Sequence, residues 1–235
     1  MSEIDTARFG VRIARSAPDS LSDLAEACQY GRREKIRMLV LRVAASNQAV
    51  LTAAEEAGAR LMDTVVTWRG AAVAGHDLQD GVRTGSAADA AAVDALARTI
   101  FAGYANHYRN DPALARAAVD EIHPSWAVRA CRAASDRNAF LLACDGVVPV
   151  GFAALDVEPE AGLADVALFG IAPHAAGRGR GRQLLRQAAS FAADRGARTL
   201  TYTTHLTNLP AQRMLCAAGF VPHESRHTFH LWFPA

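Results

Sequence analysis

The residues with the clearest chemistry are Gly177-Arg178-Gly179-Arg180-Gly181-Arg182, where a strand pattern runs into an amphipathic helix pattern. Glycines let backbone N–H groups come close to an anion, and the helix that opens next adds the positive end of its dipole. Arg178, Arg180 and Arg182 add charge, and together these features describe a pyrophosphate cradle. The G-x-G-x-G spacing is neither the dinucleotide-binding G-x-G-x-x-G nor the Walker G-x-x-x-x-G-K-[ST]. A glycine-rich turn with solvated arginines has the same composition, so the segment alone leaves both readings open. His223, His227 and His230 form a second group. Side chains alternate across a strand, so 227 and 230 point to opposite faces and no metal site is expected.

Other elements must hold this loop in place. A strand over 165–172 leads into it and a helix over 183–193 leaves it. Upstream, 140–143 and 150–156 suit a hairpin, because Asp145-Gly146 is a turn dipeptide between apolar runs. Pro149 has no N–H, so the second strand is expected to pair fully only after it. Helices are expected over 89–104 and 113–133, with an irregular 106–112 between them. Downstream come a strand at 199–204, a helix at 210–218 and a strand at 228–233. The first seventy residues alternate in the same way, with strands at 9–14, 38–44 and 61–69 and helices at 21–36 and 48–57. Ser20 or Ser22 and Asn47 are the expected caps, and Gly58 the expected stop.

The alternation hides a repeat. Asn47 precedes Gly58 by the same eleven residues that separate Asn208 from Gly219, and the two pairs lie 161 residues apart. That shift places Leu24 on Leu185, Ala27 on Ala188, Leu39 on Leu200 and Ala57 on Ala218. Each copy ends on a strand carrying a tryptophan, Trp68 or Trp232. Helix, strand, Asn, helix, Gly and strand thus occur twice. The Gly-rich stretch 70–86 reads as a boundary, giving an N-terminal unit 1–70, a linker 71–86 and a second unit 87–235.

Composition narrows the class. Of 235 residues, 51% are hydrophobic and 21% charged, as in an ordinary α/β globular chain. The 25 Lys and Arg against 24 Asp and Glu leave a net charge of +1, without the basic excess of a nucleic-acid binder. No apolar run approaches the ~18 residues of a membrane helix, and the polar start Met1-Ser2-Glu3 has no signal-like apolar region. Four scattered cysteines without a C-x-x-C pair argue against a zinc ribbon or a disulfide scaffold. Reduced thiols and a cytoplasmic location are the expectation.

Ile171-x-Pro173, then Gly177-x-Gly179-x-Gly181 and Leu184-Leu185, are followed by Asn208-x-x-Ala211 and Ala218-Gly219-Phe220. Together these resemble the two linked motifs of the GNAT superfamily of acyltransferases. The resemblance covers roughly residues 82–235 in layout. It implies a GNAT fold, a mixed and mostly antiparallel sheet flanked by helices, preceded here by a partial GNAT-like half. It also implies acetyl-CoA as cosubstrate and direct attack of an amine on the thioester. Phe169, Ile171, Gly177, Arg178, Gly179, Arg180, Gly181, Arg182, Asn208 and Ala211 are the implied coenzyme contacts. Because the first copy has no Gly-x-Gly, the layout further resembles the dTDP-fucosamine acetyltransferase group, which implies an amino sugar or sugar nucleotide as acceptor. Other small amines, other acyl-CoAs, an acyl carrier protein as donor, and a binding module without activity stay open. Pairing of strand edges in a homodimer is a further expectation, with no nucleic-acid or membrane partner.

Two departures matter. Ala176 stands where the motif begins with Gln or Arg, and Leu215 where many members carry a Tyr that protonates the leaving thiolate. The resemblance puts His205 near the thioester as a substitute and Asp165 at a common position for a base. It also puts Asn106, His107 and Tyr108 in the loop that shapes the acceptor pocket. Cys216 is expected as a small core residue.

Overall fold

Met38-Leu-Val-Leu-Arg-Val-Ala44 is apolar at all but one position, as a strand covered on both faces must be. It forms β2 (Met38–Ala44) in the computed structural model, which describes residues 1–75, 81–135 and 137–234. The other strands are β1 (Ile13–Ser16), β3 (Arg60–Ala71), β4 (Val82–Thr84), β5 (Asn138–Asp145), β6 (Val148–Glu158), β7 (Leu163–Ile171), β8 (Thr199–His205) and β9 (Val221–Trp232). The helices are α1 (Glu3–Phe9), α2 (Leu21–Arg33), α3 (Gln48–Glu56), α4 (Ala90–Ile100), α5 (Arg116–Asp120), α6 (Ile122–Arg132), α7 (Arg180–Ala193) and α8 (Leu209–Ala217). The strands join in one sheet, in the order β1-β2-β9-β3-β8-β7-β6-β5-β4. Among the described residues only β1–β2 and β7–β8 are parallel pairs. The architecture is the expected mixed, mostly antiparallel sheet flanked by helices.

Alternation sends Leu39, Leu41 and Val43 of β2 toward α2 and α3, where they pack with Leu24, Cys28, Val50 and Ala54. Met38 and Val40 face the other way and pack with Tyr108, Leu114, Val119 and Ile122. The second half repeats this arrangement. Leu184, Leu185 and Ala188 of α7 and Leu215 of α8 cover one face, while Val93, Ala97, Ala127 and Cys131 of α4 and α6 cover the other.

The 161-residue repeat is present in the elements themselves. That shift carries β2 onto β8, α3 onto α8 and β3 onto β9, residue for residue at both ends. The caps correspond too: Asn47 accepts from Val50 N–H and Asn208 from Ala211 N–H, both at 3.3 Å. The pairing has two-fold character. Val65 of β3 lies opposite Arg226 of β9, its own counterpart, and outward from there the register is symmetrical, with Thr64↔His227 balancing Val66↔Ser225. The flanking pairs β2–β9 and β3–β8 correspond as well, with Arg42↔Thr228 matching Thr67↔Thr203. One consequence is that β9 inserts between β2 and β3.

Several expectations need correction. The N-terminal 3–9 is helix α1, and the first strand begins only at Ile13. The last strand starts at Val221 rather than 228, because its first half pairs with β3. The helix expected over 113–133 is two, α5 and α6. Within the expected linker, Ala71 still belongs to β3 and Val82–Thr84 forms the far edge of the same sheet, while residues 76–80 lie outside the described residues. Cys216 is exposed on α8 rather than buried.

Candidate active site

Strands β7 and β8 pair only from Leu163↔Thr199 to Val166↔Tyr202. Just beyond, Ala167 is the extra residue of a bulge, since Leu155 of β6 faces Val166 and Ala154 faces Leu168. A bulge bends its strand, and from here β7 keeps its register with β6 alone while β8 diverges. A cavity of about 910 Å3 fills the gap.

The glycine loop closes one end of this gap. Gly177 and Gly179 have φ of 76° and 80°, a region that costs other L-residues strain, and a Cβ on either would meet nothing within 4 Å. The outer side of the loop is therefore open. Gly181 is constrained differently, since a Cβ there would lie 2.9 Å from Met214 Sδ on α8. Helix α7 starts at Arg180 with Gly179 as N-cap and no side-chain cap, so its first N–H groups have no partner within the helix. These features fit the diphosphate of a coenzyme A thioester. Phe169, Ile171, Gly177, Gly179, Gly181, Arg182, Asn208 and Ala211 all line the cavity. Two of the three arginines do not. Arg180 pairs with Asp145 of the β5–β6 turn, and Arg178 is exposed outside the lining. Asn208 is occupied as a cap, its amide donating to Thr204 Oγ1 at 3.0 Å.

Of the two candidate proton acceptors, His205 has a built environment. It ends β8, lines the cavity, and its Nδ1 lies 3.1 Å from Asp63 Oδ2. Burial works to raise the Asp63 carboxyl, but His205 and Thr228 against it outweigh that and hold it below the usual carboxylate range. Asp165 also lines the cavity, yet its Oδ1 accepts from Thr201 Oγ1 at 2.6 Å. Burial, with Asp156 adding to it, raises its carboxyl. Leu215 is fully buried in the core, so no polar group reaches the cavity from that position. Tyr104 does reach it. Its ring meets His205 edge-on at 5.4 Å between centroids, and its hydroxyl lies by Asn208 and Thr204. Burial raises the phenol, so it stays protonated at neutral pH.

Asn106, His107 and Tyr108 come together at the far end of the same cavity, and all three have structural work as well. Asn106 Oδ1 accepts from Arg109 N–H at 2.9 Å, which shapes the turn. Tyr108 is 1% exposed, and its hydroxyl accepts from Arg15 at 2.6 Å. His107 heads a buried chain. Its Nδ1 lies 2.8 Å from His230 Nε2, and His230 Nδ1 lies 2.6 Å from Asp111 Oδ2, which Trp232 also donates to. Burial opposes ionisation of Asp111, but His230 and Trp232 bring it down to about 2. The contact between the two imidazoles carries one proton, donated by whichever ring nitrogen holds it. Burial and His230 keep His107 well below the normal imidazole range. Among the described residues no group of three His, Cys, Asp or Glu side chains is placed to hold a metal ion.

Asp63, Tyr104, Arg15 and Arg42 were not anticipated. Arg42 had a signal, as the one charge in an otherwise apolar strand. Asp63 and Tyr104 had none, because neither neighbours its partner in sequence.

The acetyltransferase (GNAT) family model matches residues 103–220. Among solved structures, the chain is similar to a GCN5-related N-acetyltransferase from Sphaerobacter thermophilus (TM-score 0.57, 14% identity, 90% of this chain and 66% of that one). It is also similar to a GCN5-related N-acetyltransferase from Kribbella flavida (TM-score 0.61, 16% identity, 92% and 80%). A tandem GNAT protein from the clavulanic acid biosynthesis pathway gives TM-score 0.58 at 14% identity, over 91% of this chain and 70% of that one. At these identities the likeness is one of fold. The chain spans about two thirds of the length of the Sphaerobacter structure. No curated relative matches the sequence. The family model covers half of the chain and falls on the glycine loop and the splayed strands, so this protein belongs to the acetyltransferase (GNAT) family.

Proposed function

We propose that the protein transfers an acyl group, acetyl first, from coenzyme A to the primary amine of a small molecule, with an amino sugar or a nucleotide-linked amino sugar as the leading acceptor. The observation that carries this reading is the uncapped, glycine-rich start of α7, opening on the same cavity as the His205–Asp63 pair. Acetyl-CoA supplies a thioester whose carbonyl accepts an amine and whose thiol, with pKa near ~8.5, is a tolerable leaving group. An alkylammonium, with pKa ~10.4, must first give up a proton. His205 takes it on Nε2, with Asp63 holding Nδ1 and stabilising the imidazolium. The free edge of β7 over 167–171 offers N–H groups to the developing oxyanion. As the C–N bond forms and the C–S bond breaks, Tyr104 donates its proton to the departing sulfur, a role that Leu215 has no group to fill, and the second proton lost by the amine nitrogen restores the phenol.

Two measurements test this reading. Acetyl-CoA at ~100 times its Kd is expected to add about 2.7 kcal/mol of apparent stability, a shift of a few degrees. With an accepted amine, free thiol is expected to accumulate in step with the N-acyl product. Binding of acetyl-CoA with no thiol release across amino sugars, nucleotide-linked amino sugars and simple amines would overturn the enzymatic reading in favour of a binding module.

A further inference from the structure

The cavity has a second lobe that the acyl-transfer chemistry does not use. Arg15 of β1, Arg42 of β2 and Val65 of β3, all from the N-terminal copy, line it. Arg42 of β2 lies opposite Thr228 of β9, and Thr228 lies opposite Asp63 of β3. Residues opposite one another share a face, so Arg42, Thr228 and Asp63 form a row that leads to His205 on β8. Arg15 and Arg42 both line the cavity, under a roof formed by His107, Tyr108 and Trp126.

The two arginines differ. Arg15 is neutralised by the fully buried Asp5, 2.6 Å away. Arg42 has no hydrogen-bond or ion-pair partner among the described residues, though it lines this cavity. Asp63, the carboxylate nearest along the row, is turned to His205. Asp111 is taken by His230 and Trp232. A guanidinium is always charged and offers its donors in a planar fork that matches carboxylate and phosphate oxygens. It stands at the β2 end of a row whose β8 end holds the proton acceptor, three strand spacings of about 4.8 Å away.

From this arrangement we infer that the acceptor carries an anionic group, carboxylate or phosphate, which Arg42 binds while the amine is presented to His205. The inference rests on the acyl-acceptor reading of this cavity. The N-terminal copy thereby supplies the specificity, along with Asp63, to a reaction whose coenzyme and proton acceptor lie on the second copy. Arg15, held by Asp5 and Tyr108, forms the wall beside the anion.

Binding rather than turnover separates this inference from the reading it rests on. Two matched pairs serve as probes, 4-aminobutyrate against 4-aminobutyramide for carboxylate and 2-aminoethyl phosphate against ethanolamine for phosphate. Each is titrated calorimetrically into the full chain in the presence of coenzyme A. In at least one pair the anionic member is expected to bind tenfold or more tightly than its neutral twin, and the pair that shows it identifies the anion. Arg42→Ala is expected to erase the preference and Arg42→Lys to keep part of it, with coenzyme A affinity unchanged in both. Equal affinities within both pairs, or a preference that survives Arg42→Ala, would overturn the inference. Thiol release with the same probes reports separately on acyl transfer.

Discussion

The two copies share a frame and differ at the helix that follows the first strand of each. In the N-terminal copy, the stretch matching Gly177–Gly181 is Ser16-Ala17-Pro18-Asp19-Ser20. Ser20 and Asp23 form a capping box over the start of α2, and Asp23 also accepts from Asp19 N–H. Every feature that invites an anion to α7 is reversed there, with a self-satisfied helix start, acidic neighbours and a proline in place of a glycine. At the far end of the repeat, His205 corresponds to Ala44. The same fold unit thus presents an open or a self-satisfied helix N-terminus, a choice made by about five residues.

Exchanging features between the copies tests this contrast. The largest effect is expected from His205→Ala, which writes the residue of the N-terminal copy into the second. The rate of acyl transfer is expected to fall on the order of 10²–10⁴-fold, with acetyl-CoA affinity intact. A rate within threefold of wild type would remove His205 from the chemistry. Next comes Gly179→Glu, which sets a carboxylate where the diphosphate is expected. Coenzyme A should bind about 10²-fold more weakly by calorimetry, since like-charge juxtaposition costs several kcal/mol. Gly179→Ala gives the backbone strain alone, and Pro18→Glu, the matching change in the first copy, should leave the affinity unaltered.

A third prediction concerns acid. Burial, then His205 and Arg8, depress His123 to about 4. Unfolded histidine protonates near 6.5, so the unfolded chain binds the extra proton first, and stability falls as pH drops from about 6.5 toward 4. For one such group the loss reaches a few kcal/mol at most. Urea denaturation at pH 7 and pH 4.5 should show it, and His123→Phe should reduce the difference. The smallest effects are at the matched caps. Asn47→Ala and Asn208→Ala should each cost about 1 kcal/mol of stability. Only the second is expected to slow acyl transfer, because only Asn208 also borders the cavity beside Tyr104.

Much of the frame was legible because its signals are local. Asn47, Asn208, Gly58 and Gly219 mark helix ends through contacts within a few residues, and that is why a repeat could be traced at low identity between the copies. The glycine loop was legible for the same reason, but the fate of its arginines was not. Whether Arg180 points at a ligand or at Asp145 depends on a turn 35 residues away. Proton-transfer partners were the least visible. Asp63 and His205 meet only because β3 and β8 are neighbours across the sheet, and the proximity of Tyr104 to Asn208 depends on how α4 docks. The long β9 was half missed because Val221-Pro-His-Glu-Ser-Arg226 is polar, and its strand character comes from pairing with β3 rather than from propensity.

The insertion of β9 between β2 and β3 has a consequence for the order in which the protein takes shape. Strands β2 and β3 leave the ribosome before the strand that joins them, which follows about 150 residues later. At ~5–20 residues per second, that is a wait of roughly 8–30 s. Throughout that interval the edges of β2 and β3 that β9 will fill stand open, an arrangement prone to pairing with another chain. The helices of the first copy form from local signals and cover one face at once. Closure of its sheet, and with it the seating of Arg42 opposite Thr228, waits for β9.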